Sequence, residues 1–378
     1  MSQPATHSAA SAEVVIIGGG VIGLSIARAL ALRGVRDVIV IEKNDFGREA
    51  SWAAGGMLAP QIEADTSNDF FSLACASRDL YRDFAKALRD ESGIDVELDL
   101  TGTLCVAFTE AEEQELRSRY DWQRGEGLDV EWLNAEAART LEPCLSKQVR
   151  CALRFPNDLQ VENRRLVQAL LISNKNLGVQ LIAHSAVQSV QVAAGKVQGV
   201  NTSQGLIGAS SVVIAAGAWS SIIDPGKQIP VEPVRGQMLC FQAQPQVARH
   251  VIYSSQGYLI PRADGRLLAG STTEEVGFDK SVTAEGVNKI RLMAREIAPA
   301  VATLPLVDSW AGFRPRAADD LPVLGNSVEI EGLVYATGHY RNGIVLAPIT
   351  GELIAETIVS RKTPEMLAAF SPDRFHLV

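Results

Sequence analysis

The apolar and polar positions divide the chain into stretches of different period. From Glu13 a β-branched run, Val14 to Ile17, meets Gly18-x-Gly20-x-x-Gly23. Small apolar residues continue at helical spacing to about Leu32, and a second β-branched run ends at Glu42. The pattern predicts strand, tight turn, helix and strand. After GREASWAAGGMLAP (47–60) the period changes to a long helix over about 69–91, short strands over 95–99 and 102–108, and charged helices to about 141. Helix and strand alternation resumes at Arg164–Ile172 and Val179–Ile182. Two short strands (187–192 and 197–202) follow, joined by Ala193-Ala194-Gly195-Lys196, and then the run SVVIAAGAWS (211–220). From Pro230, the segments 231–242, 257–272 and 308–325 read as strands with turns at Asp264-Gly265 and Asp319-Asp320, around a helix at about 283–298. LVYATG (333–338) reads as a last strand before an apolar helix from Ile344 to about Ser360.

Each glycine of the first turn has a mechanical use. Gly18 allows the tight turn, Gly20 lets the backbone approach a pyrophosphate, and Gly23 lets helix pack on strand. Glu42 ends the second strand, where a carboxylate accepts hydrogen bonds from a ribose. A turn serving packing alone is the alternative reading; strand, helix, second strand and acidic terminus in register favour a dinucleotide. NAD domains of ordinary build continue with further βα units, whereas here the unit breaks off, resumes and breaks off again. That return favours FAD. The expected fold class is α/β, a Rossmann-like FAD-binding domain interleaved with an α+β substrate domain on a mainly antiparallel sheet. The expected boundaries are a disordered arm over 1–12, FAD-binding segments 13–64, 155–225 and 318–370, and substrate-binding segments 65–154 and 226–317.

Near the end of the chain, HYRNG (339–343) stands at the mouth of the apolar helix. Pro348 lacks an N–H and is best tolerated in a first turn, which places the helix start near Gly343. Unpaired N–H groups around Asn342 to Val345 are then expected to point at the flavin ring, where a reduced flavin carries negative charge. An ordinary cap facing solvent is the alternative.

Composition changes this picture little. The 378 residues are 47% hydrophobic and 21% charged with a formal charge of −9, an ordinary globular balance that argues against a nucleic-acid partner. The five cysteines form no CxxC pair and the five histidines are scattered, so neither a disulfide framework nor a structural metal is expected. MSQPATHSAASA lacks a basic n-region and an apolar h-region, and the apolar run after it is too short to span a bilayer. The expectation is a cytoplasmic protein without membrane association.

GGGVIG with Glu42, AAGGML, VVIAAGAWS, PVRGQML, GYLIPR, AGFRPR and ATGHYRNGIVLAPITG, in this order, resemble the D-amino-acid oxidase family of flavoproteins. The last three most resemble its bacterial glycine-oxidising branch, which supplies the imine of glycine for the thiazole of thiamine. The resemblance implies noncovalent FAD and oxidation of glycine, sarcosine or a small D-amino acid by hydride transfer from Cα to flavin N5. Oxygen would reoxidise the flavin to peroxide and the imine would hydrolyse to an oxoacid. Self-assembly, often to tetramers, is a further family trait.

By motif, Arg314 matches the arginine that binds the substrate carboxylate, Tyr258 the tyrosine that helps hold it, and Arg341 the arginine near flavin and substrate. Met57 and Glu63 match the segment covering the site, and Val187 the residue whose backbone meets the adenine. The resemblance extends cofactor contact to Gly18, Gly20, Val21, Ile22, Gly23, Glu42 and Lys43, and to Ser51, Ala54, Gly55, Gly56 and Met57. It adds Ala216, Gly217, Trp219, Arg314, His339, Arg341, Asn342, Gly343 and Ile344.

A planar guanidinium suits a carboxylate, and an arginine among Trp310, Ala311 and Phe313 demands a partner. For Arg314 that partner is a substrate or, alternatively, an internal carboxylate. Arg341 has the same two readings. Thr273 stands where the glycine-oxidising branch has methionine, an expected pocket wall at which a smaller residue would widen the site. Cys240 reads as core packing, and no cysteine stands where monomeric sarcosine oxidases attach FAD. A dehydrogenase with another acceptor, an oxidase of a bulkier N-substituted amino acid and a non-catalytic flavoprotein are the competing functions.

Overall fold

The computed structural model describes residues 11–226 and 229–375. The β-branched runs pair side by side in parallel: Ile17 stands opposite Ile41 on one side and Ile214 on the other. Val14–Ile17 and Val38–Ile41 are buried throughout, as expected of parallel strands covered on both faces. The sheet runs Val323–Asn326, Leu333–Thr337, Gly205–Ile214, Ser11–Ile17, Val38–Ile41, Gln180–Ile182, with the hairpin Val187–Ala193 and Lys196–Thr202 joined at Gly205–Ile214. Most of the arm expected over 1–12 lies outside the described residues. Ser11 and Ala12 belong to the first strand, where they pair with Gly208 and Ala209.

Helix Val21–Leu32 packs against the apolar helix Gly343–Ser360 in one core. Gly351 permits the approach, because a Cβ there would stand 2.8 Å from the Ser25 carbonyl oxygen. The expected position of Pro348 is corrected: it lies inside Gly343–Ser360, not in its first turn. The carbonyls loosened by the missing N–H find donors on helix Asp69–Ser92. Tyr81 Oη donates to the Ile344 oxygen, and Ser77 Oγ donates to the Val345 oxygen at 2.6 Å. By length and composition Gly343–Ser360 could cross a membrane; here it is a core helix against Val21–Leu32 and Asp69–Ser92.

The second sheet is mainly antiparallel, in the order Leu306–Ala317, Val231–Gln242, Arg266–Gly270, Gly257–Pro261, Val251–Ser254, Thr103–Ala107, Cys151–Phe155, Glu131–Asn134. Its two longest strands place Gly236 opposite Gly312 and Val234 opposite Arg314. Helix Ala284–Ile297 covers one face through Ile290, Met293, Ala294 and Ile297. The strand expected over 95–99 does not form. Asp95 Oδ1 accepts the Glu97 N–H at 2.8 Å and Glu97 takes a positive φ, so the chain turns there, leaving Asp99 as an isolated bridge to Gln160.

Candidate active site

A cleft of about 380 Å³ opens at the carboxyl ends of the parallel strands and extends to the second sheet. Gly18, at φ +110°, forms its floor; a Cβ there would lie 2.3 Å from the Ala215 oxygen. Gly20 and the first helical residues Val21 and Ile22 line it. Gly23 does not: its missing Cβ would meet the Gly18 oxygen at 2.0 Å, so this glycine serves helix-to-strand packing. Glu42 is buried, with Oε2 accepting the Gly19 N–H at 2.9 Å and Oε1 that of Asn44 at 3.1 Å. Each oxygen keeps a lone pair for a further donor. Ser51 Oγ accepts the Val21 N–H at 2.9 Å.

Around this turn the cleft is lined by Lys43, Val187, Ala216, Gly217 and Trp219. The Lys43 ammonium sits 3.0 Å from the centre of the Trp219 indole. Burial lowers its pKa, with Glu49 and Glu42 opposing.

The 53–63 segment supplies the next wall through Ala54, Gly55, Gly56, Met57 and Glu63. Gly56 is at φ +72°, and a Cβ would strike the Val161 oxygen at 2.1 Å. Two buried groups absent from the sequence expectations hold the segment. Arg262, the last residue of GYLIPR, donates to the Gly55 and Val161 oxygens, each at 2.8 Å. Asp158 accepts the N–H groups of Gln61 at 3.2 Å and Ile62 at 2.9 Å, fixing the short helix Pro60–Glu63. Burial pushes the Asp158 carboxyl up to about 7 against the opposing pull of Arg78, 3.6 Å away. A signal for Arg262 existed: an arginine after four apolar strand positions demands acceptors.

Arg314, Tyr258, Met57 and Arg341 all line the cleft, but the two arginines are paired differently. Arg314 Nη2 donates to Ser271 Oγ at 2.6 Å and Nη1 to the Thr272 oxygen at 3.1 Å. Among the described residues no carboxylate forms an ion pair with it. Its guanidinium lies over Gly236, where a Cβ would stand 2.4 Å from Nη1. Arg341 is instead ion-paired with Glu63 at 3.2 Å. Thr273 is not a cleft wall: it is exposed, while its neighbour Thr272 is buried with Oγ1 accepting the Gln237 N–H at 2.9 Å.

At the HYRNG turn, Asn342 donates its N–H to the His339 oxygen at 2.8 Å, so that group is not free. Tyr340 N–H donates to the Pro315 oxygen at 2.8 Å and anchors the turn. The helix starts at Gly343 without a side-chain cap, and Gly343 and Ile344 line the cleft. His339 is buried, its Nε2 3.1 Å from Thr350 Oγ1, and burial pushes its pKa down to about 3.

The FAD-dependent oxidoreductase family model matches residues 13–357, and the chain belongs to that family. It is 37% identical over 367 residues to the glycine oxidase of Geobacillus kaustophilus (strain HTA426), covering 96% of this chain and 97% of that one. The crystal structure of glycine oxidase from Geobacillus kaustophilus superposes with a TM-score of 0.93 at 36% identity, covering 97% of this chain and 99% of the other. The bifunctional protein ThiO/ThiG of Synechocystis sp. (strain ATCC 27184 / PCC 6803 / Kazusa) is 36% identical over 370 residues, which are 97% of this chain but 54% of that protein. The chain thus spans about half the length of its bifunctional relatives.

The cleft fits FAD. Gly20 leaves its cleft side open, with only Ser51 Oγ within 3.2 Å of where a Cβ would be, and Glu42 retains acceptor capacity at the end of the second strand. Gly18, Gly20 and Glu42 would hold the adenosine and pyrophosphate end, and Gly55, Gly56 and the start of Gly343–Ser360 the ring end. None of the five cysteines lines this cleft, and Cys240 is buried in strand Val231–Gln242.

Proposed function

We propose that the protein oxidises glycine, sarcosine or a small D-amino acid, giving the imine and then the oxoacid, with noncovalent FAD and with oxygen reduced to hydrogen peroxide. The observation that carries this reading is Arg314, a cleft-lining guanidinium bonded only to neutral oxygens and lying beside Tyr258. A substrate carboxylate completes its charge balance. When bound, FAD supplies the acceptor for a hydride from the substrate Cα.

The chain's own residues orient and neutralise. Arg314 and Tyr258 hold the carboxylate and so fix the position of Cα. Met57 and the 53–63 segment, tied down by Arg262 and Asp158, cover the reacting atoms. The first turn of Gly343–Ser360 offers positive potential to developing negative charge. Three cleft carboxylates already have partners: Glu42 at Gly19, Glu49 with Lys280 at 2.6 Å and Glu63 with Arg341. The amine must therefore arrive neutral.

Relatives named glycine oxidase and ThiO/ThiG support this substrate class and a place in thiamine synthesis. A cytoplasmic location, self-assembly, no nucleic-acid or membrane partner and the domain boundaries given above belong to the same proposal. Anaerobic mixing of the yellow protein with glycine, sarcosine, D-alanine and a bulky N-substituted glycine tests it. Rapid bleaching by glycine or sarcosine, with one peroxide per imine on aeration, is expected. Bleaching only by the bulky amine would move the substrate class, and bleaching without peroxide would move the acceptor.

A further inference from the structure

Arg314 and Arg341 line the same cleft, but only one of them is free to receive an anion. Glu63 Oε1 stands 3.2 Å from Arg341 Nη2 and accepts from Tyr253 Oη at 3.4 Å. These three residues line both the main cleft and a second cavity of about 260 Å³, so they form the partition between the two.

The far side of the partition is acidic. Asp65 is neutralised by Arg119 at 2.8 Å, while Glu112 and Glu115 also line the second cavity. Glu112 is fixed as an acceptor by Ser255 Oγ at 2.5 Å and by the Phe108 and Thr109 N–H groups at 2.8 and 2.9 Å. A substrate entering from this side meets net negative charge and a closed ion pair.

We propose that Glu63 is a specificity-determining residue that restricts the cleft to amino acids with one carboxylate. The inference rests on the functional reading above. Arg314 takes the first carboxylate. The cleft's other cations, Lys43 and Arg48, line it together with Glu42 and Glu49, so a second carboxylate on the nitrogen substituent or the side chain would turn to Arg341, which Glu63 already engages. To bind, it must break the pair and face the released Glu63, an unfavourable like-charge contact. Removing the charge of Glu63 while keeping its shape frees Arg341 as a second anion receptor. The partition thus acts as a charge filter, and it sits on the segment that Asp158 and Arg262 hold in place.

Flavin-loaded wild type, Glu63→Gln and the double variant Glu63→Gln/Arg341→Gln are titrated with unreactive acetate and with malonate, following the visible flavin spectrum. Steady-state kcat/KM for glycine is then compared with that for D-aspartate and iminodiacetate. Glu63→Gln is expected to tighten malonate at least about tenfold while moving acetate less than about threefold, and the gain should vanish in the double variant. The dicarboxylate-to-glycine ratio of kcat/KM should rise in parallel.

An unchanged malonate-to-acetate ratio in Glu63→Gln overturns the proposal. So does a gain that persists without Arg341, which would mean mere loss of negative charge, and so does the absence of any perturbation by either acid. Should Glu63→Gln lose its flavin, Glu63→Ala reads the same ratio. If no amino acid reduces the wild-type flavin, the oxidase reading fails, while the unreactive acids still report on Glu63 alone.

Discussion

Arg314 and Tyr258 share one hydroxyl: Arg314 Nη2 donates to Ser271 Oγ at 2.6 Å, and Tyr258 Oη donates to the same oxygen at 3.0 Å. A single small side chain thereby aligns two groups whose strands, Leu306–Ala317 and Gly257–Pro261, are separated by two others in the sheet. Arg314 keeps further N–H donors and Tyr258 needs only to turn its single O–H away from Ser271, so little ordering is required on binding.

Truncating the guanidinium should damage binding more than the cofactor. Arg314→Ala is expected to retain yellow colour and lose about 2 to 4 kcal/mol in kcat/KM, mostly through KM. Gly236→Ala tests placement separately, since its Cβ would stand 2.4 Å from Arg314 Nη1 and push the intact charge aside. Steady-state kinetics with flavin content measured in parallel check both. Wild-type KM in either variant would remove Arg314 from the carboxylate site.

The two inner glycines of the first turn should fail differently. A Cβ at Gly20 meets only Ser51 Oγ at 3.2 Å, whereas one at Gly23 meets the Gly18 oxygen at 2.0 Å. Gly20→Val is therefore expected to give folded protein without flavin, and Gly23→Val to lose the fold itself. Circular dichroism with flavin absorbance separates the outcomes. A Gly23→Val protein that stays folded and loses only flavin would return Gly23 to the cofactor site.

Most of this site was legible because its determinants are local in sequence. The turn from Gly18 to Gly23, the acidic end at Glu42 and the start of a helix near Gly343 each follow from a few adjacent residues. What was illegible depends on contacts between distant segments. Arg262 reaches Gly55, and Asp158 reaches Gln61 and Ile62, across gaps that no periodicity records. The internal position of Pro348 could not be read either, because its tolerance depends on Tyr81 and Ser77 of another helix. Thr273 was misplaced for a simpler reason: Thr272 is buried and the next residue is exposed, a choice that the sequence of two adjacent threonines does not record.

Arg262 should be a stability determinant that the sequence motif disguised as part of a strand. It is buried and satisfies Gly55, Val161 and Asn163 oxygens at 2.8, 2.8 and 3.2 Å. Arg262→Met leaves those acceptors without their partner, while Glu162 keeps Arg266 at 2.7 Å, at a cost of about 3 to 5 kcal/mol. Chemical denaturation checks the loss. A cost below about 1 kcal/mol would mean that water replaces the guanidinium and that the 53–63 segment is held elsewhere.

His339 should make the fold acid-sensitive. Burial lowers its pKa from the ordinary 6.5 to about 3, so between these values the unfolded chain binds a proton that the folded one refuses. Stability from this group is complete above pH 6.5 and falls as the pH drops, by roughly 3 kcal/mol at pH 4. In His339→Gln, which keeps a polar group facing Thr350, that part of the acid slope should disappear. Denaturation midpoints from pH 4 to 7 decide it, and an unchanged slope would place the acid sensitivity elsewhere.

The rate should follow the substrate's own amine. Glu42, Glu49 and Glu63 are each engaged by a backbone N–H or a cation, and His339 is neutral, buried and bonded to Thr350, so none stands ready as a base. Deprotonation must then precede binding or productive orientation, and kcat/KM should climb with pH along one ascending limb. Substrates with less basic amines should move that limb to lower pH by the difference in their amine pKa values, with FAD content unchanged. A limb that stays at one pH for every substrate would assign it to a protein group, and a flat profile from about pH 6 to 10 would mean that the cleft accepts the protonated amine and removes its proton itself.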